Sequence, residues 1–389
     1  MEVGIPMLKE EKKVEYLELI YDLIFVYVIG RNSSLLRNVV DGFVPAGTFL
    51  AYILYSLAVI QIWSFSTFYI NMHGRNGLRD HIALFLNMYL LYYIGEGTRL
   101  HWQAFQNQYH LAWGLILLNI GVQYAIERRN HLDDPAALRV IKHMMIALFG
   151  EALIVLLAIP AYNWLEASLA PIAILYGMTV TWALAERSEA HIVDFRHLTE
   201  RAMLYVVFTF GEMIIVIAEY FEGGLNGSSV YFSLMCFLIV VGLFLCYGVL
   251  YDRIIDRERM DNGMGYMMLH VFLLFGMNSL TTSLEFMRDE AVALWPKTIF
   301  LILSFLLFFV CLFWLQNKYS KPDLGLCRRF TMPIGVITGV FVVLMLLLRE
   351  YPRVNIFVSV VYVFALFLEL WLYSRPSSCP IPQRGSDPS

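Results

Sequence analysis

The sequence predicts an all-α, polytopic integral membrane helix bundle with about 12 transmembrane helices, on three observations. Hydrophobic residues make up 59% of the 389 positions and charged residues only 15%, against about 45–50% and about 25% in soluble domains. The apolar residues gather into runs of the length, about 20 residues, that crosses a hydrocarbon core of about 30 Å. Lys and Arg alternate between rich and poor from one inter-run loop to the next. This composition excludes an ordinary soluble enzyme and a disordered chain. A net charge of −4 offers nucleic acid no basic surface, and five cysteines with no CxxC pair give no disulfide framework or structural zinc site.

The predicted spans lie near 14–31, 46–70, 80–98, 107–126, 138–159, 168–186, 202–221, 229–251, 264–286, 295–316, 331–348 and 354–374. They lack the alternation of barrel strands, and helices are the other structure that satisfies every backbone group in lipid. Residues 1–13 read as a cytoplasmic segment of mixed charge, 14–374 as a single transmembrane domain, and 375–389 as a disordered cytoplasmic tail rich in Pro and Ser. Of the 28 basic residues, 21 fall on one side of this topology. Arg31, Arg37, Arg99, Arg288, Lys297, Arg349 and Arg353 fall on the other. Because cytoplasmic loops hold the excess, both termini are expected in the cytoplasm.

Ionisable groups within spans are costly, by about 2.5–3.5 kcal/mol on insertion scales, and mark functional positions or buried packing. The first span carries Glu15, Glu18 and Asp22 at spacings of three and four, so they share one face. That stripe suits a path for cations or protons, or salt bridges to neighbouring helix ends. The third span has Gly95-Glu96, the fifth Phe149-Gly150-Glu151 and the seventh Phe210-Gly211-Glu212, with the last two close copies. Their spacing of 55 and 61 residues suggests two-helix hairpin repeats, a device on which many carriers are built. The glycine before each acid either lets helices approach closely or makes room for the carboxyl.

His197-Leu198-Thr199-Glu200-Arg201 opens the seventh span. Arg201 and Glu212 are close to three turns apart, on one face and about 16 Å from each other. Arg201 is positioned to pair with an acid of the first span such as Glu18, as a structural lock or a gate. His191, Asp194 and His197 recur every three residues in the preceding loop, which resembles metal-ligand spacing, but a solvated connector explains them and no metal site is expected. The ninth span is polar in its outer half (Asn278, Ser279, Thr281, Thr282, Ser283, Glu285), as a cavity-lining helix is. Gly335 and Gly339 form a GxxxG surface for helix packing in the eleventh. No P-loop, nucleophile elbow or HExxH occurs, and no cofactor is expected.

The stretch Glu15–Val26 (EYLELIYDLIFV) resembles the opening motif of the bacterial low temperature requirement protein A (LtrA) family, and His197–Ile217 (HLTERAMLYVVFTFGEMIIVI) is similar to its second motif. The resemblance makes Glu18, Asp22, His197, Glu200, Arg201, Gly211 and Glu212 signature positions. Met203 and Met213 depart from the small residues the motif usually carries, and the region of His270 lacks an expected proline. A multi-spanning bacterial inner-membrane protein follows from the resemblance; a biochemical activity does not.

The leading expectation is a secondary transporter or channel-like protein for a small solute, coupled to protons or cations through Asp22, Glu151 and Glu212, with Glu96 and Glu18 alongside. His197, Glu200 and Arg201 are expected to gate or pair. The alternatives are a membrane-embedded enzyme acting on a lipid or isoprenoid, with His197 and Glu200 in acid–base roles, and a non-catalytic sensor or scaffold. Expected partners are membrane lipids and a small solute or ion, not nucleic acid, and an oligomer is left open.

Overall fold

The structure, a computed structural model, describes residues 12–100, 102–185, 193–221, 224, 226–324 and 328–375. Most of the N-terminal segment, the tail from 376 and the loop 186–192 containing His191 lie outside the described residues. Twelve α-helices cover the predicted spans among the described residues: α1 (Tyr16–Ser33), α2 (Ala46–His73), α3 (Leu78–Leu100), α4 (Trp102–Glu127), α5 (Pro135–Leu165), α6 (Ala170–Ala185), α7 (Phe195–Ala218), α8 (Gly227–Val249), α9 (Met264–Arg288), α10 (Leu294–Tyr319), α11 (Arg328–Leu347) and α12 (Pro352–Tyr373). Ten are long and apolar enough to cross a bilayer. The other two are α3, with Arg79, Asp80 and Glu96 in its length, and α6, only 16 residues long.

Helix starts follow local chemistry. Asp134 caps α5, its carboxylate accepting from the backbone N–H of Ala136 and Ala137, and Pro135 occupies the first turn, where its missing N–H costs nothing. Asn226 caps α8 through the N–H of Ser229. Asp194 accepts the N–H of His197 at 3.0 Å at the start of α7. A one-turn π segment, Leu250–Ile254, ends α8.

Side-chain contacts fix the helix directions. Tyr21 meets Ser66, and Asp22 meets Trp63, so α1 and α2 are antiparallel. Tyr21 meets Asn87 and Tyr27 meets Glu96, so α1 and α3 are parallel. Arg201 faces Asp22 while Glu212 faces Gly30, so α7 also runs parallel to α1. This is the alternation that the basic residues of the loops predict. Within the bundle α9 is central, with 78% of its apolar window buried, and α11 peripheral, with 17%. Leu153, Leu157, Ile215, Val336 and Val340 point outward, as lipid-facing positions do.

One packing expectation fails. Among the described residues, no atom beyond the helix's own nearby backbone lies within 4 Å of where a Cβ at Gly335 or Gly339 would stand, so the GxxxG surface of α11 makes no close helix contact there. The short helix α11 packs through its other face, with Phe341 stacked on Tyr362 of α12 at 3.9 Å.

Candidate functional site

Where α1, α2 and α7 meet, the structure buries a full ion-pair cluster. Arg201 is 0% exposed and Asp22 is 0% exposed. The Arg201 Nη2 donates to Asp22 Oδ1 at 2.6 Å and its Nε to Oδ2 at 3.3 Å, a two-pronged geometry that lysine cannot provide. Trp63 Nε1 donates to Asp22 Oδ1 at 2.9 Å. Glu18, one turn back on α1, places Oε2 at 3.2 Å from Arg201 Nη1. A buried charge is tolerated only when paired and hydrogen-bonded, and here one guanidinium serves two carboxylates.

The seat of Arg201 is built by α2. Asn71 brackets the backbone of Asp194, donating to its carbonyl at 2.8 Å and accepting from its N–H at 3.0 Å. The same amide donates to His197 Nδ1 at 3.1 Å, which puts the ring proton on Nε2, facing Glu18 at 3.4 Å. Lys12 caps the end of α2 through the carbonyls of Ile70, Asn71 and Gly74, and burial pulls its ammonium below the ordinary lysine range. Tyr21 extends the polar network from Ser66 to Asn87, and Asn87 accepts from Asn119 at 2.8 Å, reaching α4.

Cavities flank the cluster on both sides. One of about 450 Å³ is walled by Lys12, Glu15, Glu18, Arg75 and Asp80. The other, of about 710 Å³, lies between α1, α7 and α9 and is walled by Tyr27, Gly30, Arg31, Glu212, Asn278, Thr281, Thr282 and Glu285. A further hollow of about 460 Å³ shares Arg37, Val216 and Glu285 with it. From Glu18 in the first wall to Leu23 in the second is five residues of α1, about 7.5 Å of helix. Asp22, Arg201, Trp63 and Tyr21 fill that interval.

The predicted acids therefore divide into three groups. Glu18 and Asp22 join Arg201 and His197. Glu212 and Arg31 both line the wider cavity, and Arg31 lies 4.0 Å from Glu96 and within electrostatic reach of Glu212. Glu151 is alone and 0% exposed between α5, α6 and α2, accepting from Gln61 Nε2 at 3.2 Å. Glu200 stays out of the cluster: half-buried, it falls within electrostatic reach of Tyr251 instead. Of the polar residues in the C-terminal half of α9, Asn278, Thr281, Thr282 and Glu285 line the cavity, whereas Ser279 and Ser283 face Tyr52 and Ser304.

The room for the two repeated glutamates comes from glycines that sequence reasoning did not single out. A Cβ at Gly30 would meet Glu212 Oε1 at 2.5 Å, and one at Gly177 would collide with both Glu151 and Gln61. Gly150, just before Glu151, instead lets Tyr176 cross close by, and Gly211 faces open space. The two sequence copies are thus used differently: Glu151 faces the next helix of its own hairpin, whereas Glu212 faces α1. Also missed was a trio at one end of the bundle, His73, Glu127 and His131. The spacing of four between Glu127 and His131 was its only local signal, since His73 comes from another helix.

These features define a polytopic helical membrane protein with charged residues buried at its centre. Residues 13–374 match the family model described as bacterial low temperature requirement A protein (LtrA). The chain belongs to that family, and the match spans the whole transmembrane domain rather than the two quoted motifs alone. No protein of curated function matches the chain.

Proposed function

We propose that this LtrA-family protein is a secondary transporter or channel-like protein for a small solute, coupled to protons or cations. The observation that carries the reading is the pair of cavities, each with charged residues in its wall, approaching one another along α1 and separated by the Arg201–Asp22–Glu18 cluster. A gated path needs hollows reached from each side and a closed interval between them. An ion pair with two alternative carboxylates is a suitable closure, because Arg201 can keep one partner while the other is released. Glu212, on the cavity wall with Arg31, is the carboxylate offered to an incoming solute, and Glu96 holds the same Arg31. Glu151, buried opposite Gln61, is a separate proton-holding position.

On the topology expected from the loop charges, the narrower cavity opens toward the cytoplasm and the wider one toward the outer face. The test is proton flux into liposomes containing the purified protein, under imposed pH gradients, with and without candidate solutes. Glu212→Gln is nearly isosteric on a cavity wall, so that chain folds and its flux falls to the level of empty liposomes. Wild-type flux no greater than empty liposomes would reject the reading.

The complete burial of the Arg201–Asp22 pair also suits a sensor or scaffold in which the cluster only locks α1 to α7. That reading expects Glu212→Gln to change nothing but stability. Loss of flux from a folded Glu212→Gln chain separates the two.

A further inference from the structure

We propose that His73, Glu127 and His131 bind one divalent transition-metal ion of the zinc class at the end of the bundle where α2 and α4 finish. One donor atom from each of the three lies within 4.8 Å of the others. The tetrahedral ideal, with metal–ligand bonds of about 2.0–2.1 Å, needs donors about 3.4 Å apart. A small inward movement closes the difference, and His131 can make it from the 3₁₀ turn Arg128–His131, where it is only partly buried. Two imidazoles and one carboxylate form a set that leaves a fourth position for water or another ligand. Such nitrogen-rich sites favour zinc, cobalt, nickel or copper over magnesium or calcium.

The stronger observation is what the side chains lack and how they are held. His73 is 5% exposed, and neither of its ring nitrogens has a hydrogen-bond partner among the described residues. A buried imidazole with both nitrogens unmet is a deficit that a bound ion removes. His131 is pre-oriented, because its Nδ1 donates to the Glu127 carbonyl at 3.1 Å and leaves the Nε2 lone pair to face a ligand. Metal-ligating histidines are commonly fixed by this same second hydrogen bond. The ring planes of His73 and His131 meet at 71° with centroids 5.1 Å apart, so the rings converge without stacking face to face. Tyr124, edge-on to His73 at 5.6 Å, has a buried hydroxyl that also lacks a partner.

The cations around Glu127 must be set against this. Arg79 binds Oε1, while Arg75 at 3.4 Å and Asn130 at 2.9 Å bind Oε2. A carboxylate oxygen has more than one lone pair, so a single guanidinium need not exclude a metal. Arg79 keeps a second anchor in Tyr69 Oη at 3.0 Å, and the Arg75 side chain is 65% exposed, free to swing into solvent. Arg75 is therefore the competitor that yields. A cation at His73 would also fix the end of α2, two residues from the Asn71 that seats α7, and so bears on the proposed gate without depending on it.

The test is Co²⁺ titration of the purified, chelator-stripped full-length protein in detergent, read by the visible d–d absorption of cobalt and by displacement with Zn²⁺. One saturable, Zn²⁺-displaceable Co²⁺ per chain is expected. Changes to outer-sphere partners alone weaken metal sites about 10–100-fold, so His131→Gln should weaken this one by at least about 100-fold. That substitution lies on a partly buried turn, and a monodisperse elution peak with an unchanged unfolding midpoint checks the fold. Arg75→Gln should tighten binding several-fold. Zn²⁺ should raise the unfolding midpoint of the wild type and leave that of His131→Gln unmoved. The proposal is overturned if folded wild-type protein takes up no stoichiometric Co²⁺, or if uptake survives His131→Gln.

Discussion

Asp22 and Glu151 are both fully buried carboxyls in neighbouring parts of one bundle, yet they are built in opposite ways. Asp22 is gripped by a two-pronged guanidinium and an indole N–H, whereas Glu151 has one glutamine amide and an oxygen with no hydrogen-bond partner among the described residues. The first belongs to a charge network that holds α1, α2 and α7 together. The second is nearly free of structural duty. Burial alone therefore does not distinguish an acid that clamps helices together from one with few partners.

The largest effect should come from breaking the clamp. Arg201→Met strands Glu18 and Asp22 without their counter-ion, and removal of one partner from a buried pair costs about 3–5 kcal/mol. Expression and the unfolding midpoint in detergent should both collapse. Adding Glu18→Gln and Asp22→Asn to that chain should recover part of the loss, since it then carries no unpaired buried carboxylate at these positions.

Filling the pocket of the other acid comes next. Gly177→Ala drives a methyl into Glu151 and Gln61, an overpacking that costs about 1–3 kcal/mol, read by the same midpoint. Glu151→Gln should cost no more than about 1 kcal/mol, because Gln61 can still donate to the new amide oxygen. A collapse of that variant comparable to Arg201→Met would erase the contrast between the two acids. The smallest effect is expected at Gly335→Leu, where a Cβ meets no other helix among the described residues. A surface change of this kind stays within about 0.5 kcal/mol, and a larger loss would reveal a packing partner for α11 from outside the chain.

The spans were legible in the sequence because a bilayer imposes one length and one polarity on every crossing segment. The parallel course of α1, α3 and α7 was legible too, through the alternation of Lys and Arg. The pairing of Arg201 with α1 could be anticipated, since its helix face and height are local properties of the chain. Which acid faces which helix could not. Helix rotation is set by packing among all twelve, so the division of Glu18, Asp22, Glu96, Glu151 and Glu212 into three groups left no local trace. The glycines at 30 and 177 that accommodate the acids sit on other helices, and His73 meets Glu127 only across the bundle.

The charge cluster also has a consequence for biosynthesis. Asp22 is made 179 residues before Arg201. At about 5–20 residues per second the ribosome needs about 9–36 s to deliver that arginine. Through that interval α1 holds its acids without their counter-charge, so it must stay near the aqueous boundary or in the shelter of the insertion machinery. Final seating of the first helix therefore follows synthesis of the seventh, and a chain truncated before Arg201 should leave α1 exposed to quality-control proteolysis.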